Sequence, residues 1–496
     1  MRDWRKYSWR LVSGALLLLL VGLGTGLAGC SVLDTDLGRA VSEAVGLDPY
    51  SLDEGGRREL GRFDAVYRNY GRADAGSKPF EHFTDAFKRV RADYVRLVDD
   101  AQLIDAAIKG VRDRQPAPGS LPPGELVETA LDAMLVSLDP HSLYLNPDEL
   151  HQTMVSTSGE FGGLGIEITD DKGAIKVVSP IEGTPAYRAG IKPGDIITHL
   201  DGSAIKGLAL MQSVMRMRGR PGTDIRLTIE RDGQPPFDVT ITRAIIKIVA
   251  VRWRTEGDIG YLRVATFSKA TGDGVAKAMR DIRRNLGQRM KGLVVDLRNN
   301  PGGLLDESVA LADAFVERGT LVSVRGRDVA AGHEYKATAG DLAEGRPMVV
   351  LINGGSASAS EIVAVALQDL KRATVMGGRS FGKGTVQTIM PLPREGGLKM
   401  TTALYYSPLG RAIQARGVIP DIVIYAGEET KNPRREADVP GALSGAATTP
   451  DATRARLDAA DCPPAGDNDD RQLGCALVLL RAGSVSGFLA SLGKTL

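Results

Sequence analysis

Apolar residues recur along this chain with two periods, and the switches between them mark out its elements. Phe83, Phe87, Val90 and Tyr94 fall at i, i+4, i+7 and i+11, one face of an amphipathic helix beginning near Pro79. Further helices are predicted from Asp100 to Val111 and from Gly124 to Ser137, separated by the loop-forming run Pro116-Ala-Pro-Gly-Ser-Leu-Pro-Pro123. After residue 159 the period shortens. A glycine-rich turn, Gly159-Glu-Phe-Gly-Gly-Leu-Gly165, runs into alternating Ile166-Glu-Ile168, and Ile175–Val178, Asp195–Thr198 and Ile225–Ile229 read as short strands around a helix at 208–217. From Val249 the two periods alternate. Strands at Ile259–Val264, Gly292–Leu297 and Met348–Ile352 are interleaved with helices at 274–286, 304–316 and 361–370. Continuous Val/Ile-rich strands between helices are the pattern of a parallel sheet covered on both faces, which predicts an α/β core.

With 496 residues the chain is long enough for about three units of ordinary domain size. Its 62 basic and 61 acidic residues balance to a net charge of +1, so charge gives no reason to expect nucleic acid or another polyanion as partner. No repeat with a period of about 20–50 residues is present.

Candidate chemistry gathers between Asn353 and Gln387. Gly354 and Gly355 allow a sharp turn after the strand Met348–Ile352, and three serines follow at alternate positions, Ser356, Ser358 and Ser360. Ser358 with Glu361 has capping-box spacing, so a serine at this helix start has a purely structural reading. Lys383 lies between Gly382 and Gly384 with Phe381 and Val386 nearby. Apolar neighbours would desolvate its ammonium and lower its pKa, leaving an amine able to take a proton from a nearby hydroxyl. Gln387, four residues on, is placed to orient that amine. A second glycine pair, Gly302 and Gly303, follows the strand Gly292–Leu297 and opens a helix, where free amides meet the positive dipole end. His141, in Leu138-Asp-Pro-His-Ser142, reads as a hydrogen-bonding turn residue, and the five histidines (82, 141, 151, 199 and 333) form no motif suited to a Ser–His hydrolase.

Taken together, Ser356-Ala-Ser-Ala-Ser-Glu-Ile362, Phe381-Gly-Lys-Gly-Thr-Val-Gln387, Asp296-Leu-Arg-Asn-Asn-Pro-Gly-Gly303 and Leu138–Ser142 resemble the carboxy-terminal processing (tail-specific) proteases, Ser–Lys peptidases of bacteria and plastids. The likeness covers roughly residues 80 to 425. It implies a Clp-protease/crotonase-like α/β catalytic core with an inserted PDZ domain and a helical N-terminal portion. It also implies Ser358 as nucleophile, Lys383 as base and Gln387 as its support, and no cofactor or metal. The choice of Ser358 among the three serines comes from this resemblance. So does a glycine amide of the Asp296–Gly303 block as oxyanion donor, here Gly303, with the Ala359 amide as the second. The competing expectation is a non-catalytic adaptor on the same scaffold, which has little reason to keep Ser358, Lys383 and Gln387 together.

Residues 159–246 resemble a PDZ domain, most recognisably at Ala189-Gly-Ile-Lys-Pro-Gly-Asp195. An extended peptide would add to the strand edge at 165–169, with its terminal carboxylate on the amides of Gly163, Leu164 and Gly165 beside Ile166, and its last side chain near Leu210, Val214 and Met217. A dinucleotide loop is a poor alternative, because the Gly-Gly-Leu-Gly run lacks the third glycine and the following helix. The expected partners are therefore protein substrates held by their C-terminal tails, with an adaptor lipoprotein or a second copy of the chain as further possibilities.

At the N-terminus, Arg2, Arg5, Lys6 and Arg10 precede the apolar run Leu11–Leu27, the layout of a signal peptide. Leu27-Ala-Gly-Cys30 resembles a bacterial lipobox, which implies cleavage before Cys30, lipidation there, and anchoring on the periplasmic side of the envelope, in the outer membrane rather than the inner. Of the three cysteines, the remaining two, Cys462 and Cys475, would form a disulfide in an exported chain. The expected organisation is a signal peptide (1–29), a partly helical tether (30–78), the helical N-terminal part of the protease (79–158), the PDZ domain (159–246), the catalytic core (247–428), and a linker and C-terminal tail (429–496) with a helix at 470–482.

Overall fold

The computed structural model describes residues 50–494 apart from 73–76, 158, 172–173, 182, 206–209, 248, 329–331, 426, 428–434, 446–454 and 467–468. The signal-peptide segment and Cys30 lie outside the described residues. The chain divides into two compact units at Leu131/Asp132.

The first unit is helical. α1 (Glu54–Tyr70) starts at Asp53, whose carboxylate accepts the Gly56 amide at 2.8 Å, and buries Phe63, Val66 and Tyr67. α2 (Ser77–Asp93) buries Phe83, Phe87 and Val90, with Tyr94 just beyond its end, as the period predicts. The Phe63 and Phe83 rings stack between the two helices. α3 (Asp100–Asp113) buries Leu103, Ile104, Ala107, Ile108 and Val111, and α4 (Pro123–Val136) runs across the unit boundary. The stretch expected to be a tether thus contains a 17-residue helix with a buried face. Its apolar positions lie among many charges, which masks their helical spacing.

The second unit opens with β1 (Leu143–Leu145) and α5 (Pro147–Thr157). β2 (Glu160–Gly163) leads into a small sheet built from β3 (Ile166–Asp171), β4 (Ala174–Pro180), β5 (Ile196–Leu200), the short β6 (Ser203–Ala204), β7 (Asp224–Glu230) and β8 (Phe237–Thr242), with α6 (Leu210–Met217) between β6 and β7. β9 (Ala244–Lys247) then pairs antiparallel with β2, Phe161 opposite Ile246, so the chain enters and leaves this sheet through one ribbon. The strand order β3-β4-β5-β7-β8 leaves β3 at an edge.

A larger sheet follows: β10 (Val251–Glu256), β11 (Ile259–Val264), α7 (Thr271–Leu286), β12 (Gly292–Asp296) and α8 (Leu305–Asp313). β13 (Thr320–Arg325) and β14 (His333–Lys336) precede β15 (Met348–Ile352), α9 (Ala359–Asp369) and β16 (Thr374–Gly377). β17 (Thr385–Pro391), β18 (Gly397–Tyr406), β19 (Ile422–Tyr425), β20 (Ala455–Asp458), α10 (Arg471–Ala482) and α11 (Val485–Ser491) complete the unit. Seven strands run in the order β10-β11-β12-β15-β16-β19-β20, parallel throughout except for the β10–β11 pair. One face packs Leu262, Val295, Val350 and Val375 against Val275, Met279 and Ile282 of α7 and Ile362, Val363 and Ala366 of α9. The other face packs Val294, Val349, Leu351 and Ile424 against Leu473, Ala476, Leu477 and Leu480 of α10.

That second face corrects the expected boundary at 428. The C-terminal segment supplies the seventh strand and a helix that packs on one face of the sheet, so it belongs to the same unit as residues 247–428. An edge strand of four residues, set among Ala, Thr, Asp and Arg, carries too little periodicity to be seen alone. Cys462 and Cys475 are joined by a disulfide.

Candidate active site

Ser358 sits between the C-terminal end of β15 and the start of α9, at φ 55° and ψ −115°. A serine held at positive φ is a strained position that its surroundings must enforce. Ser356 and Ser360 help to do so. Both are fully buried; the Ser356 hydroxyl donates to the Leu297 carbonyl at 2.8 Å and the Ser360 hydroxyl to the Asn300 carbonyl at 2.9 Å. The Ser358 side chain faces the Glu361 amide in a capping-box arrangement but makes no cap hydrogen bond to it; that amide donates instead to the Ser358 carbonyl at 2.8 Å. Among the described residues, the middle serine alone of the three has a hydroxyl with no hydrogen bond.

Glu361, read from sequence only as a cap, ties the site together. It is completely buried. Its Oε2 accepts the Ser358 amide at 2.7 Å and the Lys383 amide at 2.9 Å, and its Oε1 accepts the Gly382 amide at 2.7 Å and the Ser380 hydroxyl at 2.5 Å. Burial pushes its pKa up to about 7 against the pull of these donors. On the far side of the same turn, the buried Tyr405 hydroxyl lies 3.0 Å from the Ser358 carbonyl and also contacts the Lys383 carbonyl.

The Lys383 loop is pinned from behind. A Cβ at Gly384 would come within 2.2 Å of the Gln414 amide nitrogen, and one at Gly382, at φ 100°, within 3.0 Å of the Gly417 nitrogen. Glycine is therefore required on both sides of the lysine. The half-buried Lys383 amine has its pKa lowered to about 8, chiefly by desolvation and then by the charge of Lys399; Glu436, Asp139 and Glu361 oppose the shift. Among the described residues the amine has no hydrogen-bond partner. The main chains of Ser358 and Lys383 therefore meet on one carboxylate oxygen, while the hydroxyl–amine hydrogen bond itself is not formed in this structure. Such bonds often tighten only with substrate in place.

Gln387 departs from expectation. Its Nε2 donates to Thr385 Oγ1 at 2.9 Å and Thr401 Oγ1 at 3.2 Å rather than to the lysine, because the β17–β18 pairing sets Gln387 opposite Thr401. Thr401 in turn donates to the buried Asp139 at 3.1 Å. His141 is a hydrogen-bonding residue, but its partner comes from the segment expected to be a linker. Its Nε2 lies 2.9 Å from Glu436 Oε1, and the Glu436 amide donates to the Phe381 carbonyl at 3.0 Å. No local sequence signal foreshadows Glu436.

The glycine pair Gly302–Gly303 packs against the Ser358 turn through Gly302. The Gly302 amide is taken by the Asn300 side chain at 2.9 Å. The amides of Gly303 and Ala359 have no hydrogen-bond partner among the described residues. A Cβ at Gly302 would come within 2.9 Å of Ser358 Cβ and 3.1 Å of the Ala359 nitrogen, so this glycine keeps the space beside the Ser358 turn open.

A second site lies on the small sheet. A cavity of about 440 Å³, counted to its open mouth, is lined by Phe161, Gly163, Leu164, Gly165, Ile166, Ile168, Val214, Met217 and Arg218. The amides of Leu164 and Gly165 are unpaired among the described residues, whereas Gly163 belongs to the β2–β9 ribbon opposite Ala244. The Leu210 side chain lies outside the described residues. Arg218, which the sequence reading did not single out, stacks 4.5 Å over the Phe161 ring, and its buried Nε has no partner. Desolvation lowers its pKa, as expected of a guanidinium lacking an anion.

Residues 258–424 match Peptidase family S41 and residues 162–239 match the PDZ domain family. The carboxy-terminal-processing protease of Bartonella bacilliformis is 49% identical over 349 residues, which is 70% of this chain and 75% of that protein. A probable CtpA-like serine protease of Staphylococcus aureus is 39% identical over 310 residues, 60% of each chain. Among solved structures, a photosystem II D1 C-terminal processing protease is 31% identical, covering 70% of this chain and 93% of its own, with a TM-score of 0.47.

Proposed function

This chain belongs to the carboxy-terminal-processing proteases, serine peptidases of family S41 with a PDZ domain, and from that premise we propose how its residues divide the work. Ser358 is the nucleophile. Its hydroxyl oxygen attacks the scissile carbonyl carbon while its proton passes to the neutral Lys383 amine, and the carbonyl oxygen becomes an oxyanion facing the Gly303 and Ala359 amides. Lys383 returns the proton to the leaving amine, and water then releases the acyl group from Ser358. Gln387 acts at one remove, by holding Thr401 and the strand beside the lysine. The observation that carries this reading is the division of labour among the serines: Ser356 and Ser360 spend their hydroxyls on the backbone of the Leu297–Asn300 loop and Ser358 does not. Diisopropyl fluorophosphate labelling tests it. The label should fall on Ser358 and vanish in Ser358→Ala; labelling that persists would overturn the assignment.

The cavity beside β3 takes the substrate tail by strand addition. The Leu164 and Gly165 amides and Arg218 receive its carboxylate, and Val214 and Met217 line the place of its last side chain. The substrates are exported proteins. Arg2, Arg5, Lys6 and Arg10 before an apolar run, together with Leu27-Ala-Gly-Cys30, support export and lipid anchoring at Cys30 on the periplasmic side, and the Cys462–Cys475 disulfide agrees with an oxidising compartment. Mass spectrometry of the mature N-terminus decides this, since an unmodified Cys30 or an uncleaved leader would sink it.

A further inference from the structure

We propose that Asp470, in the C-terminal segment beyond the family-matched residues, is a positioning residue for catalysis, bracing through Arg298 the loop that carries the oxyanion donor. The inference rests on the reading of Gly303 as that donor.

The loop from Leu297 to Gly303 is bonded forward to the nucleophile turn. The Asn300 carbonyl accepts the Ala357 amide at 3.0 Å and the Ser360 hydroxyl at 2.9 Å, and Asn353 exchanges two hydrogen bonds of 2.8 Å with Asn299. Arg298 is the member of this loop whose side chain reaches towards the tail. Its guanidinium donates to Asp296 through Nη2 at 2.6 Å and to both Asp470 oxygens at 2.9 and 2.5 Å, with Gln472 Oε1 at 3.1 Å.

Charge explains why the tail carboxylate matters. The buried Asp296 already accepts from Tyr261 at 2.7 Å and from Arg263 at 3.0 Å. Two arginines would thus share one carboxylate, leaving a largely buried cation half-paired; Asp470 supplies the second. Its own position is fixed three ways. It caps α10 by accepting the Leu473 amide at 3.0 Å, it lies within the stretch closed by the Cys462–Cys475 disulfide, and its neighbour Gln472 donates to the Ile424 carbonyl of β19 at 3.2 Å. Without Asp470, Arg298 would keep only the Asp296 carboxylate that Arg263 already shares, and the loop that carries Gly303 and holds the Ser358 turn would lose its brace to the tail.

The test compares wild type with Asp470→Asn and Asp470→Glu, using casein turnover and the rate of diisopropyl fluorophosphate acylation of Ser358. Asp470→Asn should lower kcat and the acylation rate together by about tenfold, the scale of a displaced rather than deleted oxyanion donor, with KM within about twofold. Asp470→Glu should restore most of both. Gln472→Leu, which keeps the helix cap, should shift both rates the same way by a smaller factor and stands in if Asp470→Asn does not fold. Rates within twofold of wild type in every variant would overturn the proposal, as would a loss in Asp470→Asn that only tracks its unfolded fraction. A fall in turnover with acylation unchanged would also overturn it, while leaving Ser358 as the nucleophile.

Discussion

One carboxylate oxygen of Glu361 accepts the main-chain amide of Lys383 at 2.9 Å while also holding the amide of Ser358. The two loops that meet there lie more than twenty residues apart in the chain, and this completely buried group is what fixes their approach. Every partner of the carboxylate is a donor. Glu361→Gln would present an amide NH₂ where an acceptor is needed, leaving buried donors unpaired at about 1–3 kcal/mol each. We expect this variant to lose at least a hundredfold in kcat/KM and to melt several degrees lower, as read by peptide turnover and thermal denaturation. Near-normal activity would show that the clamp is dispensable.

Lys383 sets the pH dependence. Its pKa, lowered to about 8, makes the amine a base only above that pH, so kcat/KM should fall close to tenfold per unit as pH drops from about 7.5 to 6. The groups facing it are Lys399, which lowers the value, and Glu436, Asp139 and Glu361, which raise it. The stability sign follows from the same depression. The unfolded lysine binds its proton up to about pH 10.5 and the folded one only to about 8, so this group's contribution to stability diminishes as pH falls from 10.5 to 8 and is constant below. Lys383→Met should therefore be inactive yet more stable at pH 7, by roughly 1–3 kcal/mol after discounting for partial exposure. A pH-independent rate between 6 and 8, or a destabilised methionine variant, contradicts this account.

Gly302 guards the space beside Ser358. At φ 104°, a Cβ there would approach the Ala357 carbonyl at 2.8 Å and the Ser358 Cβ at 2.9 Å. Gly302→Ala should cost about a hundredfold or more in kcat, with binding of a carboxylate-ended peptide to the PDZ cavity unchanged. Fluorescence anisotropy alongside turnover separates the two effects; loss of both would point to misfolding.

Ser356→Ala and Ser360→Ala should keep fluorophosphate labelling but lose about 1–2 kcal/mol of stability, since each removes a buried hydrogen bond to the loop at 297–300. Labelling abolished in either variant, with the fold intact by circular dichroism, would reopen the choice of nucleophile.

Arg218 lies in the PDZ cavity with an unpaired buried Nε. Arg218→Ala should weaken binding of a peptide with a free C-terminal carboxylate by about tenfold and leave the amidated peptide unaffected, because only the first offers the anion. Equal losses for both would assign Arg218 to packing against Phe161 instead.

What the sequence by itself determined was whatever depends on neighbours in the chain. Period and composition placed β11, β12, β15, α7 and α9, the glycine pairs marked the turns at 302–303 and 354–355, and the motif blocks named Ser358 and Lys383. Tertiary structure decided what depends on partners far apart in sequence. Which serine keeps a free hydroxyl follows from the carbonyls of the loop at 297–300; where Gln387 points follows from its register against Thr401; that Glu436, Asp470 and α10 belong to the catalytic unit follows from a sheet that gains its last strand from the tail. Burial and hydrogen bonding are properties of packed surfaces, and no stretch of chain carries the identity of the surface it will meet.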